Sequence, residues 1–181
     1  MNRYKGIYTL LYFPVNNKKE LINDLYLDIK DMLYENPSQF DLMHIFSEKL
    51  LESQDELIKY LESYSSIEKS PLFKDFIIYY QNCNKYSQLL EYVALKYNSS
   101  ILSIYSKKIM VIAKLWYRVR MLIVKLSVTK YEDKLNEVLT NVADIINKIA
   151  DEEEYIANDL IRSIENNNFI YQEYKFVLMI I

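Results

Sequence analysis

The sequence predicts an all-α protein: a bundle of about five helices, several of them long, with short β-prone segments at its two ends. Three observations predict it. The chain has a single glycine, Gly6, among 181 residues. Glycine serves positive-φ turns, so a hairpin-rich sheet fold would need several. The three prolines, Pro14, Pro37 and Pro71, fall at segment boundaries. Between them apolar residues recur every three to four positions, the helical period. The hydrophobic content of 51% is too high for a disordered chain and suits one core over residues 1–181, a single helical domain.

Residues 7–13, IYTLLYF, are apolar and suit a short strand or a helix ending before Pro14. Residues 18–35 read as a helix capped by Asn16 or Asn17, with Leu21, Ile22, Leu25, Ile29, Met32 and Leu33 on one face. Asn36-Pro37 stops it. Ser38 caps a second helix whose stripe runs from Phe40 through Met43, Leu50, Leu57 and Leu61 to about residue 64. The patch Glu52-Ser53-Gln54-Asp55 is a candidate break. Residues 65–69 form a loop, and Ser70-Pro71 is a cap followed by proline at the first helical position. That helix runs to about Tyr97.

Asn98-Ser99-Ser100 makes the next turn and caps a long apolar helix over 101–128. The last long helix begins near Tyr131 and ends at Asn166-Asn167-Asn168, with a candidate bend at Asp151 to Glu154. The tail, FIYQEYKFVLMII, is again β-prone. It pairs with the N-terminal run, adds a last helix, or docks on a partner.

Charge is unevenly spread. Residues 1–95 hold 10 basic and 14 acidic side chains, residues 96–130 hold 8 basic and none acidic, and residues 131–181 hold 4 basic and 11 acidic. At 100° per residue, Lys107, Lys114, Arg118 and Lys125 fall on one line, a stripe about 27 Å long at 1.5 Å rise per residue. The rest of that helix is almost wholly apolar, with Arg120 and Lys108 off the line. Three readings follow. The stripe is the one solvated edge of a central helix, with Asp144 or Glu137 neutralising Arg120 or Lys108. It binds phosphates, with Trp116, Tyr117 and Tyr105 for stacking. Or it meets an acidic protein or an anionic surface.

Composition also excludes chemistries. One glycine cannot write a phosphate-binding loop. One cysteine, Cys83, forms no internal disulfide or multi-thiolate zinc site, and one histidine, His44, cannot supply a two-histidine metal motif. Asp41 and His44 lie three apart on one helix face and are a candidate carboxylate–imidazole pair. Cys83 is a candidate nucleophile for that histidine, with a half-buried structural role as its ordinary reading. The run Asp151-Glu152-Glu153-Glu154 reads as solvated, since consecutive helical carboxylates point apart.

The expectation is a non-enzymatic helical interaction or structural subunit, or a virus- or plasmid-encoded accessory protein, working through protein–protein contacts. No cofactor, no metal and no catalytic residue is expected. The alternative is a nucleic-acid-binding subunit of a larger nucleoprotein complex; in size and in carrying a basic helix the chain is generically similar to small helical subunits of RNA-guided defence complexes, at the level of fold alone. An enzyme built on Asp41 and His44 is the third hypothesis. A protein partner or self-association is expected, nucleic acid is the alternative partner, and a membrane is not expected because no uncharged run approaches the roughly 20 residues of a spanning helix. Lacking a signal peptide, the chain is expected in the cytoplasm.

Overall fold

A computed structural model describes residues 26, 27, 29–96, 98–129 and 132–166, and their regular structure is entirely helical. The chain is an all-α bundle. The described residues of α1 are 26, 27 and 29–34; then come α2 (Gln39–Glu52), α3 (Gln54–Glu62), a 3₁₀ turn at Ile67–Lys69, α4 (Pro71–Lys96), α5 (Ser100–Val128) and α6 (Glu132–Glu165). Both terminal β-prone runs lie outside the described residues.

Local chemistry sets the boundaries. Ser38 and Asp41 form a capping box: the Asp41 amide donates to Ser38 Oγ at 3.1 Å, and the Ser38 amide donates to Asp41 Oδ2 at 2.8 Å. The expected helix to residue 64 is broken at Ser53, inside the polar patch, into α2 and α3. Ser70 Oγ accepts from the Phe73 amide at 3.2 Å and starts α4 behind Pro71. The turn into α5 puts Asn98 at φ 50°, a left-handed conformation that asparagine tolerates, and Ser99 Oγ caps the next helix at the Leu102 amide.

Packing follows the apolar stripes. α4 and α5 form an antiparallel hairpin, the most extensive pairing in the bundle, and α6 lies against both α2 and α5. Small side chains let α4 and α5 close up: Ser87 Oγ donates to the Ser106 carbonyl and Ser106 Oγ to the Ser87 carbonyl, each at 2.9 Å. Fully buried residues on α6, among them Leu139, Val142, Ile146, Ile149, Ile156 and Leu160, recur three, four or seven apart and make one wall of the core. Each such side chain contributes about 1.5–3 kcal/mol of burial. α6 stays helical through Asp151–Glu154, where a bend was a candidate.

Candidate interaction surface

α5 packs mainly against α4 and α6 and more lightly against α3, and part of its surface is left exposed. Lys107, Lys114, Arg118 and Lys125 are all exposed there. None of the four makes an ion pair among the described residues. Exposed apolar side chains alternate with them: Ile104, Val111, Met121 and Val128 are 51%, 52%, 46% and 72% exposed. The outward face is therefore both cationic and apolar.

Beside its N-terminal half runs a shallow groove of about 350 Å³ between α4 and α5. It is lined by Ser87, Glu91, Ser106, Lys107, Met110, Val111 and Lys114. Its one carboxylate, Glu91, accepts from Ser103 Oγ at 3.1 Å.

The aromatic residues separate. Tyr117 is 45% exposed and pairs with Tyr80 across α4 and α5, ring centroids 5.5 Å apart. Trp116 is a core residue, 2% exposed, with its ring 5.8 Å from Phe76 and 5.0 Å from Tyr79. The expectation that Trp116 stands beside the stripe for stacking is corrected. Nine residues past Lys107, at 100° each, it points away from the stripe. Tyr105 is likewise buried, its hydroxyl 3.1 Å from Ser163 Oγ.

The off-line cations are held elsewhere than expected. Lys108 meets Asp159 at 3.4 Å and sits 4.6 Å from the Tyr155 ring centroid. Arg120 lies over the Phe73 ring at 5.2 Å and near the Tyr117 ring at 5.9 Å. Arg120 Nε, buried, makes no hydrogen bond among the described residues. Neither Asp144 nor Glu137 forms an ion pair with Lys108 or Arg120 there.

The Asp41–His44 pair is not formed as an ion pair. Asp41 turns to the Ser38 cap, whose hydroxyl and amide hold its carboxyl below the usual 3.8. His44 turns to α6 instead: Nδ1 is 2.9 Å from Asn147 Oδ1 and Nε2 is 3.3 Å from Asp151 Oδ1. Ser47 Oγ also reaches Asn147 Oδ1 and donates to the His44 carbonyl. Sequence reasoning missed this cluster because 103 residues separate His44 from Asn147. Ser47 is directed at Asn147 and a carbonyl rather than at the imidazole, so the group clasps α2 to α6 and does not pair a nucleophile with a base.

Cys83 is fully buried on α4 rather than half-buried. In the acidic run, Asp151, Glu152 and Glu154 are exposed as expected, whereas Glu153 is 1% exposed. Its spacing to Ile149, Ile156 and Ala157 places it on the apolar face of α6, a signal present in the sequence. Burial, with the Asp75 and Glu153 carboxylates adding to it, pushes the Tyr79 phenol up to about 12. Among the described residues no group of three His, Cys, Asp or Glu side chains converges to hold a metal ion.

The architecture is thus that of an α-helical bundle whose central hairpin presents a cationic and apolar helix face. Comparison with known proteins finds no matching family model, no matching curated protein and no matching solved structure. No helix among the described residues is long and apolar enough to cross a membrane.

Proposed function

We propose that this protein is a non-enzymatic interaction subunit that binds an acidic partner protein along the outward face of α5. One observation carries the reading: four exposed cations, with no ion pair among the described residues, interleaved with four exposed aliphatic or thioether side chains on one helix. Exposed cations alone are common on surfaces. Apolar side chains set between the cations on the same face give that face a component that water does not favour, as in the mixed surfaces of non-obligate interfaces.

The test is a quadruple substitution, Lys107→Glu, Lys114→Glu, Arg118→Glu and Lys125→Glu. Proteins retained by the wild type from its own cell extract should be lost by the variant while the fold is kept. Retention unchanged by all four reversals would exclude α5 as the binding surface.

Nucleic-acid binding is the second reading, supported by the Tyr80–Tyr117 ring pair, whose half-exposed Tyr117 lies on the same helix as the four cations. It expects an oligonucleotide shift at low salt that weakens steeply with added salt. The absence of any shift at low salt would remove it.

A further inference from the structure

The outward face of any α-helix carries residues three and four apart. What distinguishes α5 is their chemistry: Lys107, Val111, Lys114, Arg118, Met121 and Lys125 are all exposed. Read from either end, the order is cation, apolar, cation, cation, apolar, cation. The same three–four spacing is the one that two helices use when they pack side by side at about 20°.

We propose that this face docks an acidic amphipathic helix of a partner protein. That helix places carboxylates opposite the four cations and aliphatic side chains opposite Val111 and Met121. The inference rests on the reading above that α5 is the binding surface, and it adds the form of the occupant. Because the pattern is the same in both directions, the partner helix fits parallel or antiparallel.

Other occupants match less of the surface. Two copies of α5 packed antiparallel would bring Val111 onto Met121, but also Lys107 onto Lys125 and Lys114 onto Arg118. Packed parallel and in register, each cation would face itself. Like charges so placed repel. The outward face of α6 in a second copy has carboxylates such as Glu137 and Asp144, both exposed, but Tyr155 is its only large exposed apolar residue among the described residues. Nothing on α6 would cover Val111 and Met121. A nucleic acid would engage the cations through its phosphates and leave both apolar side chains in water.

The experiment uses the full chain and a labelled helical peptide of about 22 residues, long enough at 1.5 Å per residue to face every position from Lys107 to Lys125. The peptide carries Glu at the four positions facing cations and Leu at the two facing Val111 and Met121. A scrambled peptide of equal composition and a single-stranded oligonucleotide are the comparison probes, and binding is read by fluorescence anisotropy. The patterned peptide should bind saturably, with the scrambled one at least about tenfold weaker, a difference of 1.4 kcal/mol. Two double variants, Lys114→Glu with Arg118→Glu and Val111→Ser with Met121→Ser, should each lose at least about tenfold, with unchanged helical circular dichroism showing that they fold.

Equal affinity for patterned and scrambled peptides would overturn the docked helix while leaving α5 an acid-binding surface. Failure of both peptides would overturn the inference and the functional reading together. Tight oligonucleotide binding indifferent to the two serine substitutions would assign the face to nucleic acid instead. Dimerisation abolished by the same double variants would assign it to a second copy.

Discussion

Asp41 is held by a residue three positions earlier, and that contact decides its role. Ser38 donates both its hydroxyl and its amide to the Asp41 carboxylate, lowering the carboxyl below its usual 3.8. A carboxyl lowered on folding contributes stability that is present above its unfolded pKa and fades as pH falls through the folded one. The contribution of this exposed cap is therefore lost only at pH values below about 3.8. Ser38→Ala should raise the Asp41 pKa toward that value in a carbon-detected titration and cost about 1 kcal/mol of stability at neutral pH. Tyr79 shows the opposite sign: burial first, then Asp75 and Glu153, raise its phenol to about 12. Its neutral form is favoured, and that contribution fades as pH rises from about 10, the ordinary value, toward about 12. Glu153→Gln should lower the Tyr79 pKa only partway, since burial is the larger cause. An absorbance titration at 295 nm, differenced against Tyr79→Phe, checks this. A full return to the ordinary value would make the carboxylate, not burial, dominant.

The elements divide by how local their causes are. Ser38, Ser70 and Ser99 each cap a helix through an amide three residues on, so their helices can be read from short windows of sequence. The break at Ser53 lies in a polar patch legible in the same way. The α2–α6 clasp is not local. An imidazolium can donate from both ring nitrogens, to Asn147 and to Asp151, whereas a neutral imidazole donates from one. Replacing His44 by Ala should loosen α2 from α6 by about 1 kcal/mol. Faster amide exchange across α2, with α4 and α5 unchanged, would report it; unaltered exchange in α2 would mean the contact adds nothing to docking.

At the scale of the whole molecule, the hairpin of α4 and α5 fixes which side of α5 is wet. Exposed cations away from the core should be replaceable with stability changes within about 0.5 kcal/mol. The quadruple reversal on α5 should therefore keep its melting temperature close to wild type. A large loss would mean that the stripe is tied into the fold and is not a free surface. By contrast, Ile146→Ala on α6, where the side chain is fully buried, should cost about 2–5 kcal/mol. Chemical denaturation of the two proteins side by side separates a binding face from a structural one.

By itself the sequence determined the helical class, the caps and the line of four cations, because each depends on residues within one or two turns. It also held the arithmetic that sets Trp116 opposite that line and Glu153 on the apolar face of α6. Only the tertiary structure decided that the stripe faces outward with exposed Val111 and Met121 between its charges. It likewise decided that Lys108 is taken up by Asp159 and that His44 belongs to Asn147 and Asp151 rather than to Asp41. A helix that is apolar on most sides can bury any of them. Which edge stays in water is fixed by the neighbours that cover the others, and those neighbours are brought in from distant parts of the chain.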